Sequence, residues 1–380
     1  MKKIYFSLFV LSFSFLASAQ TIVSTTPTGR NAVLEELTGV NCGNCPDGHV
    51  RANNLKDAYP NRVTLINIHA GSFANGNPDL KSTFGTAINS LIAPTGYPSG
   101  SMNRTVWSGA YNEPPFFPQN PPNNLAIRRP GWFDANYPGQ TAGEDVILNG
   151  GTSVVNIGAT STYNSSSNSL DIAVELYYTG DETENNKLNV AILQNGAVGY
   201  QAGGGNSYVH NHILRDMLTG QWGEVVTTTT QGSLVTKNYN YPLPADYNGL
   251  YPPTPDDLEV TVFVTKNDNK TIHTGISIPA NNGTSVGTDD VFKNQLNLTV
   301  YPNPVTNSSI FTYQLHKKAN VSYQITAMNG QIISQEDLGT LAAKTYKTNL
   351  GNATKILGPG TYVFTMQIDN QTVSQLIRKQ

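Results

Sequence analysis

The stretch Ala32-Val33-Leu34-Glu35-Glu36-Leu37-Thr38-Gly39-Val40-Asn41-Cys42-Gly43-Asn44-Cys45-Pro46 decides how this chain reads. Ala32 to Leu37 reads as a strand running into a Cys-x-x-Cys tetrad. Pro46 suits the first turn of a helix, where its missing N–H costs nothing. From Pro46 to Ala58, the residues Val50, Ala52, Leu55 and Ala58 recur at helical spacing. Strand, tetrad and helix in that order put Cys42 at a helix N-terminus, where unpaired backbone N–H groups favour a thiolate. Cys45 falls one turn inside, placed to resolve a mixed disulfide, so Cys42 is the expected attacking sulfur. No other cysteine occurs in the 380 residues.

Working outward, Arg62 to His69 alternates as a buried strand. Asp79 to Ile92 reads as a second helix with Phe84, Ile88, Leu91 and Ile92 on one face, and Gly100 to Val106 as a further strand. Strands alternating with helices indicate an α/β unit over 30–145. Prolines crowd the segment 111–138, interleaved with Phe116, Phe117, Trp132 and Phe133. A long packed surface loop is favoured there over a lid or docking surface. From 150 to 280 short strands take over: Thr152 to Ile157, Ser169 to Tyr178, Lys187 to Gln194, Gly223 to Thr230 and Asp257 to Lys266. That pattern predicts an all-β sandwich. Residues 281–295 read as a linker, and 296–380 as a third, small β unit.

Met1-Lys2-Lys3, an apolar run from Ile4 to Leu16 and Ala17-Ser18-Ala19 form the pattern of a secretory signal peptide over 1–19. Export, with no transmembrane segment, is therefore expected, into a compartment where disulfides persist. Charged residues are only 13%, against roughly 25% in ordinary soluble domains. The net charge of −3 gives no electrostatic case for nucleic acid.

The run from Glu35 to Pro46 resembles the active-site segment of the thioredoxin fold. That resemblance implies that Glu36, six residues before Cys42, is a buried acid serving the resolving thiol. Gly96-Tyr97-Pro98-Ser99 resembles the family's cis-proline loop, which implies that Pro98 positions a substrate peptide against the disulfide. The chain departs from thioredoxin at Asn41, where the family has tryptophan, at the inner pair Gly43-Asn44, and in a longer spacing to Pro98. Leu34 to His49 (LEELTGVNCGNCPDGH), with the β-rich region behind them, more closely resemble the outer-membrane-protein-twenty-eight-related family over roughly 30–280. Two other uses of the tetrad stay open. One is an inert structural disulfide, although so short a loop is a poor staple. The other is a metal site with His49 and His69, although no second Cys-x-x-Cys supplies ligands.

His210-Asn211-His212 reads as two imidazoles on one face of a strand, favoured as ordinary histidines over a metal site. Gly203-Gly204-Gly205 reads as a flexible turn. No cofactor motif occurs. In the last region, Leu298 to Pro304 (LTVYPNP), Asn329-Gly330-Gln331 and Pro359-Gly360-Thr361-Tyr362 together resemble the type A sorting domain of the type IX (Por) secretion system. The resemblance implies a small β-sandwich that addresses cargo to that machinery. The expected whole is an exported three-part protein: thioredoxin-like α/β domain, β-sandwich and sorting domain. Its expected work is thiol–disulfide exchange on a protein substrate through Cys42, Cys45, Glu36 and Pro98. The competing expectation is a non-catalytic surface binding protein with a structural disulfide.

Overall fold

The computed structural model describes residues 22–107, 125–267, 271–285, 296, 298–315, 318–327, 331–369 and 371–379. The signal segment 1–19, the proline-rich stretch 108–124, the end of the expected linker and the Asn329-Gly330 turn lie outside them.

The chain opens with β1 (Ala32–Thr38), α1 (Cys45–Ala58) and β2 (Val63–His69), and β1 and β2 pair in parallel from Ala32↔Val63 to Thr38↔His69. After α2 (Gly85–Ile92), β3 (Ser99–Met102) runs antiparallel to β1 and then pairs with β4 (Ile127–Arg128); α3 (Ala142–Leu148) follows. Every residue of β1 and β2 is buried, because both faces of this sheet are covered. Ala32 and Leu34 face a core with Ala52 and Leu55 of α1, Trp132, and Ala142 and Val146 of α3. Val33 and Leu37 face the opposite core, with Ile88 and Ile92 of α2.

Ala52 and Leu55 of α1 and Ile88 and Ile92 of α2 are buried as expected, and the helices differ from expectation in their remaining positions and in where α2 starts. α1 buries Cys45, Gly48, His49, Ala52 and Leu55, while Val50 is 55% exposed. The true stripe thus runs through glycine and histidine and is masked by polar residues. α2 starts at Gly85, six residues later than expected, because Leu80 is taken into a separate cluster with Val40 and Ile213. β3 ends at Met102, as Asn103 and Arg104 adopt positive φ and turn the chain.

The following strands are β5 (Val155–Asn164), β6 (Ser169–Tyr178), β7 (Asn186–Gln194), β8 (Ala197–Gln201), β9 (Gly205–His210), β10 (Ile213–Met217), β11 (Glu224–Val226), β12 (Leu234–Pro242), β13 (Leu258–Lys266), β14 (Ile272–Pro279) and β15 (Gly283–Ser285). One sheet has the order β14-β13-β7-β10-β2-β1-β3-β4, with β11 also on β7, and a second has β12-β6-β5-β15. Residues of β5, β6, β7 and β13 share one core, so part of the long sheet packs on the second sheet. The stretches 30–145 and 150–280 therefore meet in one sheet. β10 lies beside β2 in parallel, and the Asn67 amide donates to the His212 carbonyl at 2.7 Å. Without β10, the edge of β2 would leave donors unpaired. Part of the expected linker is ordered sheet, since β15 pairs with β5.

In the C-terminal region β16 (Thr299–Tyr301), β17 (Ile310–Gln314) and β20 (Thr345–Asn349) form one sheet. β19 (Ile332–Leu341), β18 (Ala319–Ala327), β21 (Gly360–Ile368) and β22 (Gln371–Lys379) form another. Aromatic rings join them: Phe311 of β17 lies 5.1 Å from Tyr323 and 5.0 Å from Phe364, centroid to centroid.

Candidate functional site

β1 ends at Thr38, and the chain then makes a hydrogen-bonded turn: Cys42 N donates to the Gly39 carbonyl at 2.9 Å, and Cys45 N to the Cys42 carbonyl at 3.2 Å. Cys42 and Cys45 are joined as a disulfide within this turn. Cys45 is the first residue of α1 and Asn44 its N-cap, so Cys42 precedes the helix instead of opening it. The reason is local, because Cys42 to Asn44 are used up in the turn. Both cysteines are covered, Cys42 being 2% and Cys45 0% exposed.

Part of the cover is the β8–β9 hairpin. The Gln201 Nε2 donates to the carbonyls of Cys42 (2.9 Å) and Gly39 (3.2 Å), and Ala202 N to that of Val40 (2.7 Å). Gly203 at the tip has φ +78°, and a Cβ there would lie 2.4 Å from the Gly43 carbonyl oxygen. Only glycine combines that backbone with that approach. The glycine triplet, read from sequence as a plain turn, is thus fitted to the tetrad.

Behind the disulfide, Glu36 of β1 points at the first turn of α1. A Cβ on Gly48 would fall 2.8 Å from Glu36 Oε1 and 2.9 Å from the Pro98 ring, so the helix, the acid and the proline meet at this glycine. The Tyr97–Pro98 peptide is cis and Pro98 is buried. The structure thus gathers Glu36, Pro98 and the start of α1 in one place. Glu35, the neighbouring acid, faces the other way and binds the fully buried Arg104 through two contacts, 2.7 and 2.6 Å. Glu36 has no such cation, and neither of its oxygens accepts a hydrogen bond from a described residue. Burial raises its carboxyl well above the usual range and so favours the protonated form.

From sequence, His49 is a candidate metal ligand; the structure gives it other partners. Its Nε2 lies 3.0 Å from Thr38 Oγ1 and 3.6 Å from Glu36 Oε1, and its Nδ1 lies 2.6 Å from the Tyr208 hydroxyl. Burial, with His210 and His212 adding repulsion, pushes its pKa down to about 3. Burial thus favours the neutral form of both Glu36 and His49, which sets their approach apart from an ordinary ion pair. Thr38, His49 and Tyr208 form a polar path from the buried acid to the half-buried hairpin. Tyr208 was missed in the sequence because nothing there pairs the hairpin with α1.

His210 and His212 do not share a strand face. His210 ends β9 and packs edge-on to Tyr208 at 4.9 Å and to His69 at 5.7 Å. His212, with φ +53°, turns to Glu259, 3.2 Å away. Among the described residues no group of three His, Cys, Asp or Glu side chains is arranged to hold a metal. None of the described helices is long and apolar enough to cross a membrane.

The family model Outer membrane protein Omp28 matches residues 86–277, just over half of the chain. The protein belongs to the Omp28 family. A second model, the Secretion system C-terminal sorting domain, matches residues 299–379. The two together mark this Omp28-family protein as type IX secretion cargo, exported to the cell surface or outer membrane. The Omp28 match takes in Pro98 but begins after Glu36, Cys42 and Cys45. Among curated proteins, no sequence matches this one. HBP35 of Porphyromonas gingivalis is similar in structure over 93% of this chain and 99% of its own, with TM-score 0.50 and 18% identity, a likeness of fold. A domain of the outer membrane lipoprotein Omp28 from the same organism matches 34% of this chain and 89% of its own, with TM-score 0.25 and 16% identity.

Proposed function

We propose that this Omp28-family protein performs thiol–disulfide exchange at the cell surface, through a thioredoxin-like unit built from β1, α1, β2 and β3. The observation that carries the reading is the Cys42–Cys45 disulfide at the start of α1, backed by the buried Glu36. A substrate thiolate attacks Cys42 Sγ, the Cys42–Cys45 bond breaks, and Cys45 leaves as a thiolate that takes a proton from Glu36. A second substrate thiolate then displaces Cys42, so two electrons pass from the substrate dithiol to the cysteine pair. A carboxyl whose protonated form is favoured by burial suits the donor role. Pro98, packed against the same turn of α1, would position the substrate chain.

One observation favours a second reading, a structural disulfide in a non-catalytic binding protein: both cysteines are buried beneath the hairpin tip. The reduction potential separates the two. Equilibrating the protein in a thiol redox series, alkylating and weighing it should give a value between about −120 and −270 mV for an exchanging pair. A value below about −300 mV marks a permanent bond and removes the exchange reading.

A further inference from the structure

We propose that the outer face of the β8–β9 hairpin docks an extended, apolar segment of a polypeptide beside the disulfide; that this polypeptide is the thiol substrate rests on the exchange reading above. The inner face of the hairpin is packed. Ala197, Gln201 and His210 are buried, and a Cβ on Gly199 would fall 2.6 Å from the Pro78 ring and 2.9 Å from the Tyr251 hydroxyl. Strand side chains alternate, so the residues between these turn outward. They include Val198, Tyr200 and Val209, which are 54%, 41% and 49% exposed. Val198 and Val209 are direct cross-strand partners, and Tyr200 stands two residues along β8 on the same face.

An antiparallel hairpin on a protein surface ordinarily turns polar side chains outward. Here three large apolar side chains stand exposed on one face, the kind of grouping that marks an interaction surface. The backbone ties that face to the cysteines. At the hairpin tip, the Gln201 amide donates to the Cys42 and Gly39 carbonyls, and Ala202 N to that of Val40. A chain lying on Val198 and Tyr200 is therefore held next to the tetrad.

Spacing and charge choose the occupant. An extended chain repeats its side chains on one face every second residue, about 7 Å apart, as Val198 and Tyr200 themselves are placed. From Leu188 to Leu214 the sequence contains no Asp, Glu, Lys or Arg. The hairpin therefore selects by apolarity and not by charge, as suits polypeptides of varied sequence. The same stretch has no cation to meet anionic headgroups, which disfavours a membrane surface. A second copy held there permanently would pin the hairpin tip on the tetrad, whereas a substrate leaves after reaction.

The probe is a short, fluorescein-labelled, cysteine-free peptide with valine at alternate positions, set against one with serine in their place. By fluorescence anisotropy the full chain should bind the valine peptide saturably and the serine peptide far more weakly. Val198→Thr combined with Val209→Thr keeps side-chain shape and strand preference, so the melting temperature should hold. Binding of the valine peptide should weaken about tenfold, the weight of two apolar contacts made polar. Tyr200→Gln, on the same face, should weaken it too and serves if the double variant does not fold. Oxidation of dithiothreitol separates this surface from the exchange reading. Peptide binding without oxidation removes exchange and keeps the surface, while oxidation without peptide binding removes the surface and keeps exchange. Equal binding by wild type and both variants, self-association that the double variant abolishes, or binding to phosphatidylcholine vesicles in place of the peptide would each overturn the assignment.

Discussion

Oε1 of Glu36 lies 3.6 Å from Nε2 of His49 in the interior, and burial pushes both groups toward their neutral forms. Desolvation of both outweighs their mutual attraction. For Glu36 the folded-state pKa is raised, so its contribution to stability is fully present below the unfolded value of about 4.3 and is lost as the pH rises toward and through the folded value. Glu36→Gln removes that dependence. Between the unfolded value of about 4.3 and the raised folded value, the variant should gain on wild type by up to about 1.4 kcal/mol per pH unit and then level off, read from urea unfolding at a series of pH values. Under the exchange reading it should also slow substrate oxidation, by about a hundredfold, as a lost proton donor does. A stability difference that stays flat with pH would mean that Glu36 is ionised.

The buried histidines act in the opposite sense. Burial lowers His49 to about 3, His210 and His273 to about 4, and His69 well below its usual value. A depressed histidine contributes stability that is present above the unfolded value of about 6.5 and is lost as the pH falls through the folded value. Four such groups outnumber Glu36, so net stability should fall on acidification from pH 6.5 to about 4.5. The loss should approach 1.4 kcal/mol per pH unit for each histidine. Chemical denaturation across that range measures the slope, and His49→Phe should make it shallower.

Glu35 and Arg104 form an ion pair with almost no exposure on either side chain. Arg104→Met strands a buried carboxylate and should cost about 3–5 kcal/mol. Replacing both residues with methionine should recover most of that loss, because paired apolar side chains avoid the desolvation of two charges. The Trp222 and Phe263 rings beside the guanidinium can pack against Met at position 104. A double-mutant cycle in urea reads the coupling, which should exceed about 2 kcal/mol in the interior.

How far these sites could be read from sequence follows from where their partners lie. The β1–tetrad–α1 run was legible because its signals are local, an apolar strand, a proline and a cysteine spacing. Ala52 and Leu55 of the buried face of α1 are legible too, but His49 is not, because its partners are Thr38 and Tyr208, one of them 159 residues away. Sheet membership failed for the same reason. β10 joins β2 through a single register pair, Ile213↔Asn67, for which short hydrophobic runs carry no signal. The sorting-domain resemblance rested on short local motifs, and the match over 299–379 covers that same region. That Nη1 and Nη2 of Arg215 meet no acceptor among the described residues has no sequence signature, since it is a property of their surroundings.

Gly203 offers the sharpest handle on access to the disulfide. Its φ of +78° and the 2.4 Å from its Cβ position to the Gly43 carbonyl oxygen make any side chain there both strained and obstructed. Such strain costs on the order of 1–3 kcal/mol, and the hairpin can relieve it by lifting from the tetrad. Gly203→Val should therefore populate the open hairpin roughly five- to a hundredfold more than wild type. Reduction of Cys42–Cys45 by dithiothreitol, followed by rapid alkylation and mass measurement, should accelerate by the same factor if hairpin opening limits access. Gly232→Val is the control, with φ +85° and open space around its Cβ position, so it is strained without touching the tetrad. Equal reduction rates for wild type and both variants would show that the thiol reaches Cys42 by a route the hairpin does not guard.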